Sequence, residues 1–197
     1  QDVTVYGSDQ NDTVGFNIGV ADVSGDGIHD LLVSARGGDG PGNRFPESGE
    51  LHIFPGPDLP ETIDLANYPG DIYLYGADAA DFLGNALGAV DIDGDGAPEL
   101  FVGLPGGDGA VNDPVTFRDA GEAFVLDARG LEGAAGILSA PLKLAVYGAQ
   151  ADNTLGTSMT AGDMTGDGKP EIVVLAVRSD GPGGSRPDAG TIYILAP

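Results

Sequence analysis

Asp22-Val-Ser-Gly-Asp-Gly-Ile-His-Asp30 runs directly into Leu31-Leu-Val-Ser-Ala35, and the pairing recurs twice: Asp91-Ile-Asp-Gly-Asp-Gly-Ala-Pro-Glu99 before Leu100-Phe-Val-Gly103, and Asp163-Met-Thr-Gly-Asp-Gly-Lys-Pro-Glu171 before Ile172-Val-Val-Leu-Ala176. Each nonapeptide offers side-chain oxygens at its first, third, fifth and ninth positions and Gly at its sixth. That spacing suits a hard cation such as Ca²⁺, which takes six to eight oxygens from one tight loop. The expected ligands are Asp22, Ser24, Asp26 and Asp30; Asp91, Asp93, Asp95 and Glu99; Asp163, Thr165, Asp167 and Glu171. The seventh residue would give only its backbone carbonyl, which explains why Ile28, Ala97 and Lys169 differ so freely there. Three Ca²⁺ per chain are expected.

Other readings of these loops fail on residue type. An EF-hand needs a bidentate Glu at position twelve, where this chain has Val33, Val102 and Val174. Mg²⁺ prefers a small octahedral shell with several retained waters. Zn²⁺ wants His or Cys, and only His29 lies in a loop, at a position that is not a ligand position. Asp-Gly turns are common without metal, but three in register with a repeat argue for ions. By carboxylate count the second loop, with four against three in each of the others, should bind most tightly.

The repeat is defined by two independent markers. Asp22, Asp91 and Asp163 lie 69 and 72 residues apart, and so do Tyr6, Tyr75 and Tyr147 of the Tyr-Gly pairs. Each unit reads as four strands. The first runs into the acidic loop (15–23, 84–92, 156–164) and the second leaves it (30–35, 99–103, 171–176). The third is 50–54, 123–126 and 191–195, and the fourth is 72–75, 142–147 and, at the start of the chain, 3–6. The second strands are almost continuously apolar, as strands buried on both faces are. The expected fold is all-β: a β-propeller of four-stranded antiparallel blades. It forms one domain over 1–197, with repeats near 9–77, 78–148 and 149–197 and an N-terminal strand in 1–8.

These residues resemble the FG-GAP repeats of integrin α-subunit propellers and of related bacterial secreted proteins. The resemblance is carried by Val14-Gly15-Phe16, Phe82-Leu83-Gly84 and Leu155-Gly156, by Val102-Gly103-Leu104-Pro105, more loosely by Ser34-Ala35 and Leu175-Ala176, and by the acidic loops. It implies a secreted or cell-surface calcium-binding module for adhesion or recognition of a protein or glycan. Such propellers usually carry about seven blades, against three repeats here. The chain opens with a fourth-type strand and stops after a third-type strand, so the N-terminal strand is expected to complete a blade. Two chains could close as a six-bladed ring, each N-terminal strand completing its partner's third blade under two-fold symmetry. The alternative is an excerpt of a longer propeller, consistent with a first residue Gln1 rather than Met.

Composition narrows the partners. A net charge of −23 with only 8 Lys and Arg excludes nucleic acid and disfavours anionic membranes. No apolar run approaches the roughly 20 residues of a membrane span. With 41% hydrophobic residues in short runs, disorder is excluded as a whole-chain state, and the absence of Cys leaves the redox compartment open. Strand order puts the acidic loops and the 55–71 and 127–141 connections on one face. The 36–48, 106–120 and 178–189 connections, with 8–13, 77–81 and 149–154, fall on the other. By the integrin resemblance that second face would meet a partner, through Arg36, Asp39, Arg44, Asp108, Arg118, Arg178 and Asp180. Enzymatic activity is not expected: the two histidines are His29, in a loop, and His52, inside a strand, and no nucleophile elbow, phosphate loop or zinc motif occurs. A further reading is an accessory scaffold of a larger secreted enzyme, since such repeats resemble parts of certain phospholipases; another is a purely architectural unit.

Overall fold

The computed structural model describes residues 2–109 and 114–196. Among them the chain is all-β, with fourteen strands and two short 3-10 turns. The strands are β1 (Thr4–Tyr6), β2 (Val14–Ala21), β3 (Asp30–Ala35), β4 (Glu50–Phe54), β5 (Thr62–Asp64), β6 (Ile72–Tyr75) and β7 (Ala86–Val90). They continue as β8 (Glu99–Leu104), β9 (Glu122–Leu126), β10 (Gly133–Gly136), β11 (Leu142–Tyr147), β12 (Leu155–Gly162), β13 (Glu171–Ala176) and β14 (Thr191–Leu195). Among the described residues no helix is long and apolar enough to cross a membrane.

The strands form four sheets, ordered β10-β6-β4-β3-β2, β11-β9-β8-β7, β12-β13-β14 and β1-β5. In the first two repeats the expected four strands pair antiparallel in chain order. Strands two and three carry the period of the pleat into two cores at once. In the middle sheet Leu100, Val102, Leu104, Phe124 and Leu126 pack toward the first sheet, with Leu32, Leu51, Ile53 and Leu74. Their alternates Phe101, Ala123 and Val125 pack toward the third, with Leu155, Ile172, Val174 and Ala176. Successive residues point to opposite faces, so a run buried on both faces must be apolar throughout.

Neighbouring sheets also lock at matching points. Gly49 bridges Leu83, and Gly121 bridges Leu155. Asn17 Nδ2 donates to the carbonyls of Gly84 and Asn85, at 3.0 and 2.8 Å, and Asn85 Nδ2 donates to the Thr157 carbonyl at 2.8 Å. These bonds chain the three first strands, β2, β7 and β12, side by side.

Two elements depart from the sequence reading. The 55–71 and 127–141 connections are not plain loops: β5 and β10 lie in them, and β10 adds a fifth, parallel strand to β6 of the preceding repeat. The N-terminal strand completes no four-stranded sheet within the chain; β1 pairs in parallel with β5, and the third sheet has three strands. Val3 and Val5 pack there against Val33, Phe54, Ile63 and Leu65, a third apolar cluster on the face of the first sheet turned away from the second. The β1–β5 register still repeats the β6–β10 register: Thr4 faces Thr62 and Tyr6 faces Asp64, as Tyr73 faces Ala134 and Tyr75 faces Gly136. β1 is therefore a fourth-type strand, held by its connection strand alone.

Candidate metal centres

The three acidic loops fold on one plan. The first carboxylate is tied down by backbone N–H groups of its own turn. Asp22 accepts from Gly25, Asp26 and Gly27 at 2.8, 3.0 and 2.8 Å. Asp91 accepts from Gly94, Asp95 and Gly96 at 2.7, 3.1 and 2.8 Å, and Asp163 from Gly166 and Gly168 at 2.6 and 2.9 Å. The fifth-position carboxylates Asp26, Asp95 and Asp167 accept from the N–H two residues on. The turn needs left-handed backbone at its sixth residue, with φ of +89°, +92° and +87° at Gly27, Gly96 and Gly168. It needs the same at the fourth, where Gly25, Gly94 and Gly166 have φ near +80°; the sequence reading assigned a role only to the sixth.

The ninth residue closes each loop from the start of the second strand. Asp30 is fully buried and accepts from Val23 and Ser24 N–H at 2.9 Å each. Glu99 accepts from Ile92 at 3.0 Å and Glu171 from Met164 at 2.7 Å, and both are buried. In the second loop Asp91, Asp93 and Glu99 bring one oxygen each within 4.8 Å of the others. Asp95 stands apart from this triple. In the first and third loops the third-position hydroxyl reaches the ninth carboxylate instead, Ser24 to Asp30 and Thr165 to Glu171, both at 3.3 Å. Every donor is a hard oxygen, and each carboxylate keeps lone pairs beyond those given to backbone N–H. The set fits Ca²⁺ and suits neither Zn²⁺ nor a redox metal.

Two basic side chains, which sequence spacing did not reveal, enter the second loop. Lys143 Nζ, on β11, lies 2.6 Å from Asp93 Oδ2, bonds Glu99 Oε1, and is 3.9 Å from Asp127 Oδ2. Arg129 Nη1 lies 2.8 Å from Asp95 Oδ2, while its Nε and Nη2 grip Asp127 at 2.8 and 2.6 Å. The Arg129 hydrogen bonds draw the Asp127 carboxyl down to about 2. The Ala97 N–H, then Arg129, hold Asp95 below the usual carboxylate range. Hydrogen bonds to Asp93 and Glu99 push the Lys143 ammonium above its ordinary value.

On the opposite face, carboxylates tie the described loops to their own backbone. Asp39, Asp108 and Asp180 are loop staples, accepting from the N–H of Glu47, Asp119 and Asp188 at 2.8, 3.1 and 3.1 Å. Arg118 pairs with Asp152 at 2.7 Å. The Arg36 guanidinium stacks over Phe82, 3.9 Å from the ring centre, donates from Nε to Asn85 Oδ1 at 2.6 Å, and shares a cleft with Arg178. Arg44 is exposed. Residues 110–113 of the 106–120 connection lie outside the described residues. His52 is buried, its Nδ1 2.8 Å from the Pro69 carbonyl and its ring stacked on Tyr73.

Together, a threefold all-β repeat and oxygen-only loops between its first two strands define a class of repeat protein built of antiparallel sheets. The third repeat names the class: residues 155–195 match the model of the FG-GAP repeat, and the chain carries that repeat. It is similar to the phosphatidylinositol-glycan-specific phospholipase D of Homo sapiens, at 27% identity over 91% of this chain and 20% of that protein. The enzymes of Rattus norvegicus and Mus musculus are each 30% identical, over 91% and 88% of this chain and 20% and 19% of theirs. The chain spans about a fifth of the length of these curated relatives.

Proposed function

We propose that the chain is a calcium-stabilised β-propeller module, secreted or at the cell surface, that presents its loop-rich opposite face to a protein or glycan. One observation carries this reading: three loops with the same hydrogen-bond scaffold and oxygen-only donors, each at the turn between the first and second strands of its repeat. Asp22, Ser24, Asp26 and Asp30 would hold one ion with the Ile28 carbonyl. Asp91, Asp93, Asp95 and Glu99 would hold the second with that of Ala97, and Asp163, Thr165, Asp167 and Glu171 the third with that of Lys169. The ion's contribution is charge: it offsets the repulsion of carboxylates crowded into one turn. The residues fix the strand-to-strand angle, and the role is structural rather than catalytic.

A second reading is an accessory domain of a larger secreted enzyme. It is favoured by the match of about nine-tenths of this chain to a fifth of the phospholipase D relatives.

At ~1 mM Ca²⁺ and a Kd of ~0.1 mM, each site would contribute about 1.4 kcal/mol, and three about 4 kcal/mol, a large share of a domain's net stability. The expected outcome is a fall in Tm of roughly ten degrees or more on adding EDTA, reversed by excess Ca²⁺ and not by Mg²⁺. Asp163→Ala should remove one binding step in calorimetry. An unchanged Tm in EDTA, with no heat of calcium binding, would end the reading.

A further inference from the structure

We infer that Lys143 is a tethered competitor for the cation of the second acidic loop, which makes that loop the weakest of the three calcium sites although it has the most carboxylates. The inference rests on the calcium reading of the loops and reverses the ranking that carboxylate count alone suggests.

The count treats the second loop's carboxylates as bare charges, and they are not. Of the converging triple, Asp93 and Glu99 both bind the Lys143 ammonium. The fourth carboxylate, Asp95, is taken by Arg129. Asp127, which Arg129 also grips, makes five carboxylates around two built-in cations, a net of about minus three, so the fourth carboxylate brings no surplus charge and among the four of the loop only Asp91 has no built-in cation. Among the described residues no carboxylate of the first or third loop has an ion pair, so Asp22, Asp26 and Asp30, like Asp163, Asp167 and Glu171, keep all three charges for an incoming ion. The repeat places Asp71 and Asp2, not lysine, at the positions matching Lys143.

Burial makes the competition strong. The Glu99 side chain is 1% exposed, and a buried carboxylate is costly unless it is paired, hydrogen-bonded or protonated. Lys143 pairs with it from β11, reaching past β9 to the start of β8. A divalent ion entering between Asp93 and Glu99 would meet the ammonium as a like charge at contact distance, so Lys143 must swing out and give up both charge-assisted hydrogen bonds. The second loop thus keeps its closure without metal, while the first and third take their counter-charge from solution.

Calorimetry of the full chain with CaCl₂ tests this. Wild type should show two sites of similar affinity and a third weaker by about tenfold or more. Lys143→Met, and independently Lys143→Gln, should raise only the weak step, to within about threefold of the others. Asp93→Asn should abolish the weak step and leave the other two. Thermal melts supply a second readout: in EDTA both Lys143 variants should melt below wild type, and in excess calcium the gap should close or reverse. Three equal sites in wild type, or an isotherm unchanged by both Lys143 variants, would overturn the inference while leaving calcium binding intact. No calcium binding by any of these proteins would overturn both.

Discussion

At the scale of single residues, the glycine that opens a repeat's first strand is one of the places where successive sheets come into backbone contact. Gly156 has φ of +84°, and a Cβ there would lie 2.1 Å from the Glu122 carbonyl oxygen and 3.1 Å from Gly103 Cα. Gly84 meets Ser34 Cβ at 2.5 Å in the same way. Both are where one sheet's first strand is pressed onto its predecessor's second and third strands. Gly15 shares the conformation, φ +80°, but a Cβ there would have nothing within 4 Å. The three matched positions therefore separate backbone strain from inter-sheet contact. Gly15→Ala should cost about 1 kcal/mol, from the left-handed conformation alone. Gly156→Ala should cost about 3 kcal/mol or more, because backbone cannot yield as a side chain can. Urea midpoints of the two variants at saturating calcium would check the difference; equal losses would mean that the sheets do not depend on this contact.

At the scale of elements, the second-to-third connections of the first two repeats are each gathered around a buried glutamate at the start of the third strand, where the third repeat has Thr191. Glu50 accepts the Gly40 N–H at 2.9 Å and the Tyr73 hydroxyl at 2.7 Å, with His52 Nε2 3.2 Å away. Burial pushes its carboxyl up, but the neighbouring His52 ring and the Tyr73 hydrogen bond outweigh it and hold the group below its usual range. The second repeat has Phe124 and Ala145 where the first has His52 and Tyr73. Glu122 keeps the Gly109 hydrogen bond and loses the rest, so burial, with Asp81 nearby, pushes it up to about 8. Burial likewise raises Asp81 to about 7. The sign follows: between the ordinary carboxylate range and about pH 8 the folded chain holds protons that the unfolded chain has released, so stability falls as pH rises across that window and then levels. Glu122→Gln keeps an acceptor for Gly109 and cannot ionise. In EDTA its Tm should match wild type near pH 5 and exceed it at pH 8.5, by a gain of about 1–2 kcal/mol; a constant offset at every pH would refute the account. Little of this was legible in the sequence. The strands that became the two main cores were, because Leu100-Phe-Val and Ile172-Val-Val carry their burial in composition. β10 was not: Gly133-Ala-Ala-Gly136 has no β-branched or aromatic residue, and its pairing with β6 is set by the neighbouring repeat. The sharp turn of the acidic loops, with left-handed glycine at its sixth position, was legible because that geometry is local. Lys143 was not, since only the folded sheet brings β11 against a loop some fifty residues earlier.

At the scale of the whole molecule, the arc of sheets is complementary at its two ends. The first sheet leaves Ile18 and Val20 of β2 exposed, at 72% and 67%, on the face turned away from the second sheet. The third sheet leaves Ile192 and Ile194 of β14 exposed, at 65% and 55%. β14 is a third-type strand with no fourth beside it. β1 is a fourth-type strand bonded along one edge, to β5, in the register that β6 keeps with β10. The other edge of β6 pairs with β4, Glu50 opposite Tyr75, and β11 pairs with β9, Glu122 opposite Tyr147. Carried through the repeat, this register sets Thr191 opposite Tyr6 and Ile192 opposite Val5, between β14 of one molecule and β1 of another. Such pairing in both directions would close two molecules into a six-bladed ring, cover the exposed isoleucines and remove two open sheet edges. β1 would stay on its own β5 and serve two sheets at once, so no strand has to leave its place. The chain has no cysteine, so Tyr6→Cys with Thr191→Cys gives an unambiguous probe. Facing residues of an antiparallel pair lie about 4.5–5.5 Å apart at Cα, within the reach of a disulfide. Mild oxidation should convert the double variant to a covalent dimer and leave either single variant, whose like cysteines lie on different seams, largely uncrosslinked. Light scattering of the wild type should give twice the 19.8 kDa chain mass. A monomer at every concentration, with no crosslink in the double variant, would rule the two-chain ring out.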